Sequence, residues 1–193
     1  LMAVWKLAPA LAAGNAVVLK PAEQTPASIM VLMELLDDII PDGVVNVVNG
    51  FGEEAGAALS TSDRIAKLAF TGETTTGKII MKAASENLIP VTLELGGKSP
   101  NIVLPSADIQ KAVGGGVMQM MTNSGQSCNA PSRMFVPRGS NEEAKAIAKA
   151  AAEAVKVQMP READKGAIGP ISNGNQYAKV QDLIQKGIDE GAT

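Results

Sequence analysis

Short apolar runs alternate with helix-length segments through the first half of this 193-residue chain. Ala16-Val17-Val18-Leu19, Val44-Val45-Asn46-Val47-Val48, Ile65 to Phe70 and Val91 to Leu95 read as short buried strands. A helix over 1–13, with Gly14 and Asn15 suited to its C-cap, comes first. Thr25 as N-cap and Pro26 at the first helical position predict a helix to about Ile39. A short helix from Glu53 to Ser60 and one from about Thr74 to Ser85 follow. Strands separated by helices pair in parallel, with the helices on the sheet faces. The chain is therefore confined to an α/β fold, whose ligands bind at the C-terminal ends of the strands. Lys20, Glu23, Gly50, Gly52, Gly72 and Glu94 fall at or just past such ends. Any strand-to-helix loop uses glycine and polar residues, so the set carries more weight than its members.

After Gly96-Gly97, read as a hinge, the pattern restarts. Asn101 to Leu104 predicts a strand, and Ala107-Asp108 opens a helix to about Met121. Within that helix Gly114-Gly115-Gly116 costs about 1 kcal/mol per residue relative to alanine. Either the helix is interrupted there or another backbone packs close. A polar loop, a strand from Arg133 to Val136 and an Ala-rich helix from Glu142 to Val157 follow, the last suited to close helix packing. Residues 158–172 read as a loop, and Asn173 caps a final helix to about Gly191. The chain opens inside an uncapped apolar helical pattern and closes as a helix ends, and is expected to be an excerpt of a longer polypeptide.

Cys128 is the only thiol, in the turn-forming stretch Asn123-Ser124-Gly125-Gln126-Ser127-Cys128-Asn129-Ala130-Pro131. An inert free cysteine usually sits among apolar neighbours. Glu94 is an acid inside an apolar strand, followed by two glycines, and is expected to be at least partly buried. A thiol and a lone carboxylate suggest covalent catalysis with a general base. The chain has no histidine, which removes Ser-His-Asp and Cys-His mechanisms and, with one cysteine, a structural zinc site. Activation of the thiol is left to backbone N–H groups, a helix N-terminus, a cationic cofactor or Glu94. A net charge of −3 gives no reason to bind nucleic acid or an anionic membrane. No apolar run approaches the roughly 20 residues of a bilayer span. A single cysteine fits a reducing, cytoplasmic setting.

Trp5-Lys6-Leu7-Ala8-Pro9-Ala10-Leu11-Ala12-Ala13-Gly14-Asn15, Val18 to Pro26, Phe70-Thr71-Gly72, Leu93-Glu94-Leu95-Gly96-Gly97-Lys98-Ser99-Pro100 and Gly125-Gln126-Ser127-Cys128 together resemble the NAD(P)-dependent aldehyde dehydrogenase superfamily. The resemblance covers essentially the whole chain. It implies a Rossmann-like parallel sheet with flanking helices, followed by part of a second α/β domain. Residues 1–96 would be the end of an NAD-binding domain and 97–193 the start of the cysteine-bearing catalytic domain. It further implies Cys128 as the nucleophile and Glu94 as the base that activates the hydrolytic water. Lys20, Glu23, Gly52, Gly72, Glu73 and Leu95 would contact the cofactor, with Lys20 and Glu23 on the adenosine ribose hydroxyls. A carboxylate there repels a 2′-phosphate, which favours NAD over NADP. Gly72 and Glu73 would open the helix that faces the pyrophosphate, although the commoner family residue at 73 is serine.

The implied substrate is a small aldehyde, and the implied whole protein is a homodimer or homotetramer. Two other readings make different predictions. A non-catalytic nucleotide-binding remnant would be indifferent to loss of the thiol. A reductase that passes the acyl group to coenzyme A would form product only with that thiol present, and relatives of that kind generally lack the glutamate found at 94.

Overall fold

The computed structural model describes residues 1–162 and 164–192; Ala163, in the expected loop over 158–172, and Thr193 lie outside the described residues. The chain divides into two compact units, Leu1–Leu95 and Gly96–Thr193.

The first unit runs α1 (Met2–Ala12), β1 (Val17–Leu19), α2 (Ala27–Leu36), β2 (Val45–Val47), a π-helical turn (Gly52–Gly56), α3 (Ala57–Ser60), β3 (Leu68–Thr71), α4 (Thr74–Glu86) and β4 (Val91–Glu94). β1 pairs in parallel with β2, Val17 opposite Val45. β3 pairs in parallel with β4, Leu68 opposite Val91 and Thr71 opposite Glu94. Each pair is joined through a helix, as parallel strands require. α1 ends in a Schellman motif: the Asn15 N–H donates to the Ala10 carbonyl and the Gly14 N–H to that of Leu11. Gly14 takes the left-handed conformation this requires, at φ 76°.

Several local expectations are corrected. The Thr25 side chain makes no cap bond to α2, which stops at Leu36 because Asp37–Ile39 form a turn. The region from Glu53 to Ser60 is a π-turn followed by one α-helical turn. The strands are half-buried, with Val18 exposed. β3 begins at Leu68, three residues later than the apolar run suggests. Leu7, Ile29, Ala84 and Ile89 are the buried apolar side chains of this unit.

The second unit runs β5 (Pro100–Ile102), α5 (Ile109–Met121), a tight turn (Thr122–Gly125), β6 (Arg133–Phe135), α6 (Asn141–Glu153) and α7 (Gly174–Asp189). β5 and β6 are parallel, Asn101 opposite Met134. Asp108 caps α5 through the Lys111 N–H at 3.1 Å, and Asn173 caps α7 through the Gln176 N–H at 2.9 Å. Val103, Val113, Ala144 and Ile147 form the core, with Met134, Val136 and Ala148 packed around it. The small residues of α6 thus do bring it against α5. α6 ends at Glu153, short of the expected Val157, because Val157 instead bridges to Ile168.

The glycine triplet does not interrupt α5. A Cβ on Gly116 would collide with the Asn101 amide and lie 3.1 Å from the Met134 Cε. Glycine is required there because α5 presses on side chains of β5 and β6, rather than on another backbone.

Candidate active site

The C-terminal ends of β1 and β2 converge on Lys20. Its ammonium donates to the Pro21 carbonyl at 2.7 Å and the Gly50 carbonyl at 3.2 Å, and pairs with the Glu23 carboxylate at 3.5 Å. The lysine side chain is only 17% exposed, so it is fixed in place and not a freely solvated loop charge. The Glu23 carboxyl is held below its ordinary value, first by its own backbone N–H and then by the Lys20 charge and the Gln24 amide, against an opposing desolvation. Gly52, exposed, opens the π-turn, and Gly56 at its end lies beside the Lys20 stem, whose Cδ and Cε would be in ordinary contact with an added Cβ at 3.8 Å.

A second group of predicted residues surrounds the start of α4. The Gly72 N–H donates to the Glu94 carbonyl at 3.0 Å, extending the β3–β4 ladder. A Cβ on Gly72 would run into the Phe70 ring. Glu73 is the N-cap of α4: its carboxylate accepts from the Thr75 N–H at 2.7 Å, the Thr76 N–H at 3.3 Å and the Thr75 hydroxyl at 3.2 Å. It therefore brings its own negative charge to the helix N-terminus that the resemblance assigns to a pyrophosphate. Leu95 packs on α4, its Cδ2 2.8 Å from where a Gly77 Cβ would stand.

Sequence reasoning missed Gly77, and it missed Lys6, whose ammonium donates to the Thr71 hydroxyl at 2.5 Å. Gly77, one turn into an amphipathic helix, could have been found as a small residue on the face turned to the strands. Nothing in the sequence signals the Lys6 bond, which spans 65 residues.

Glu94 ends β4 and is exposed, contrary to the expected burial. The period of two explains this: Leu93 and Leu95 point to the half-buried side of the strand and Glu94 to the other.

In the second unit, Cys128 is exposed on the loop between α5 and β6. Before it, Asn123, Ser124 and Gly125 take left-handed conformations in succession, at φ 55°, 59° and 73°. The Asn123 amide donates to the Gln126 carbonyl at 3.1 Å, and the Gln126 amide donates to the Asn123 carbonyl at 3.0 Å. After it, the Ala130 N–H closes a turn on the Ser127 carbonyl at 3.1 Å, and Ala130 is buried. The Cys128 carbonyl lies 3.3 Å from where a Gly97 Cβ would be. The loop thus offers a water-accessible thiol on a tightly specified backbone. Glu94 and Cys128 belong to different units.

Among the described residues, no three His, Cys, Asp or Glu side chains gather as a metal site, and no helix is long and apolar enough to cross a membrane.

The sequence profile of the aldehyde dehydrogenase family matches residues 1–193. The chain belongs to the aldehyde dehydrogenase family. It is 55% identical to an aldehyde dehydrogenase of Deinococcus radiodurans, with all of this chain and 38% of the relative aligned. It is 54% identical to the fluoroacetaldehyde dehydrogenase of Streptantibioticus cattleyicolor, covering 39% of that protein. An aldehyde dehydrogenase from Bacillus cereus, solved as its NAD+ complex, superposes with a TM-score of 0.94 at 45% identity over 100% of this chain and 39% of its own. The chain therefore spans about two fifths of the length of these family members. Its fold is the α/β, Rossmann-like parallel architecture of the family.

Proposed function

We propose that the whole protein oxidises a small aldehyde to its carboxylic acid with NAD+, and that residues 1–96 contribute to the cofactor site and residues 97–193 carry the nucleophile. The observation that carries this reading is the exposed Cys128 thiol on a loop of fixed backbone, within the family stretch Gly125-Gln126-Ser127-Cys128.

The Cys128 thiolate adds to the aldehyde carbonyl carbon and forms a thiohemiacetal. NAD+, when bound, supplies the two-electron acceptor for the hydride leaving that carbon. The resulting thioester is cleaved by a water from which Glu94, in contact with solvent at the end of β4, takes a proton. The C–S bond breaks, the carboxylate leaves and the thiolate is restored. The Cys128 N–H donates to the oxyanion in both addition steps.

The residues around β1 and β2 fit the adenosine end of the cofactor. Glu23 is an ionised acceptor fixed by Lys20, suited to two ribose hydroxyls and repellent to a 2′-phosphate. The NAD+ complex of the Bacillus cereus relative supports the same choice. The start of α4 fits the diphosphate less well, because Glu73 already occupies its N–H groups.

Turnover is followed at 340 nm with acetaldehyde and NAD+ in the whole protein. Cys128→Ser is expected to lower kcat about 10⁴-fold or more. Glu94→Gln is expected to leave a burst of NADH followed by a steady state about 10²- to 10⁴-fold slower. Wild-type rates in Cys128→Ser would defeat the proposal. Turnover that requires coenzyme A would redirect the thioester to a thiol acceptor.

A further inference from the structure

The loop that carries Cys128 is tied to a distant stretch of the second unit on both sides of Gly125. The Ser124 hydroxyl donates to the Gly169 carbonyl at 2.6 Å across 45 residues. The Gln126 side-chain oxygen accepts from the Ser172 N–H at 2.8 Å across 46 residues. The partners lie three residues apart on one strap, so the two bonds together fix both position and direction.

The strap is itself anchored at both ends. Upstream, the Gln158 N–H donates to the Ile168 carbonyl at 3.0 Å and the Ile168 N–H to the Lys156 carbonyl at 2.9 Å. Asp164 tightens this side through Lys156 at 3.2 Å and through its own N–H to the Gln158 side chain at 2.8 Å. Downstream, the strap passes directly into Asn173, the cap of α7. What it holds is unfavourable when left alone: Asn123 and Ser124 are left-handed non-glycine residues, a conformation that persists where the surroundings over-determine it.

We infer that Ser124 and Gln126 are positioning residues, which hold the left-handed run against strap 169–172 and thereby aim the Cys128 thiol and its N–H at the reacting carbonyl. This rests on the reading of Cys128 as nucleophile. Neither residue contacts the reacting atoms. Each acts by raising the population of the attack-ready loop, and one net hydrogen bond is worth about fivefold in such a population.

The test uses the whole protein with acetaldehyde and NAD+, measuring the pre-steady-state rate of NADH formation, kcat and the KM for NAD+. Ser124→Ala and Gln126→Ala are each expected to lower the first-turnover rate about 5- to 10-fold and to leave the KM for NAD+ within about twofold. The double variant should fall short of the product of the singles, because both bonds grip one strap. Ser124→Asn keeps a donor on a residue that tolerates positive φ and should recover to within about threefold of wild type. Gln126→Glu keeps the acceptor for the Ser172 N–H but loses the donor to the Asn123 carbonyl, and should recover only part of the alanine loss. The inference is overturned if the alanine variants keep wild-type first-turnover rates while Cys128→Ser is inactive. It is equally overturned if Ser124→Asn loses as much as Ser124→Ala, since the effect is then general destabilisation. Wild-type rates in Cys128→Ser would remove the nucleophile itself, and this inference with it.

Discussion

The turn after β1 is held by groups close in sequence, Lys20 to Pro21 and Glu23, with one carbonyl thirty residues on. The loop before β6 is held from 45 and 46 residues away. Charged side chains in ordinary backbone do the work in the first. In the second, neutral side chains hold a backbone that is itself costly. The difference separates two ways of presenting a functional group. In the turn the group is the anchor, so on the proposed reading its replacement is expected to change affinity and leave the fold alone. In the loop the anchors are not the reactive group, so the backbone can fail while the thiol survives.

The sharpest way to break that contrast is Gly125→Ala. A left-handed alanine costs about 1–2 kcal/mol. Urea denaturation should show a loss of that size, accompanied by slower first turnover. An unchanged midpoint and rate would mean the loop backbone is not what specifies Cys128. On the other side, Glu23→Gln should leave the unfolding free energy from urea denaturation within about 0.5 kcal/mol. It should raise the preference for NADP+ over NAD+ about tenfold, read from the ratio of kcat/KM values, because a charge that repels the 2′-phosphate is gone. A large fall in stability would show that this turn, too, is structural.

Smaller still is the effect of Glu73→Ser. Serine retains an N-cap but removes the carboxylate from the start of α4, and the Kd for NAD+ measured by calorimetry should fall about two- to fivefold. An unchanged or higher Kd would show that the carboxylate does not compete with the diphosphate. The smallest effect is on pH dependence. The folded Glu23 carboxyl lies below the ordinary value of 4.5, so its stabilisation is present above that value and is lost as pH falls through the depressed one. The stability difference between wild type and Glu23→Gln should therefore be constant on the alkaline side of pH 4.5 and shrink on the acid side, where wild type has the steeper loss.

The same contrast explains what the sequence makes legible. Strand–helix alternation follows from side-chain periodicity over a few residues, so the parallel pairs and the Asn173 cap could be read directly. Lys20 and Glu23 stand three apart at a strand end, a local pattern. Whether a short apolar run is buried on both sides depends on what lies across it. Val18 and Glu94, expected inside such runs to be buried, are exposed. Glu73 as a cap needed the choice between a helix's first residue and the residue before it, a shift of one position that reverses the side chain's role. The strap on the Cys128 loop leaves no trace at all, because its partners are a backbone carbonyl and a backbone N–H, groups that nearly every residue carries.

Gly97 lies at the start of the second unit, and any carbon added to it would press on the carbonyl of Cys128 at 3.3 Å. In genetic terms, one base change turns this glycine into alanine. On the proposed reading of Cys128, the resulting allele would place its fault at the thiol, and would show in the cell as accumulated aldehyde.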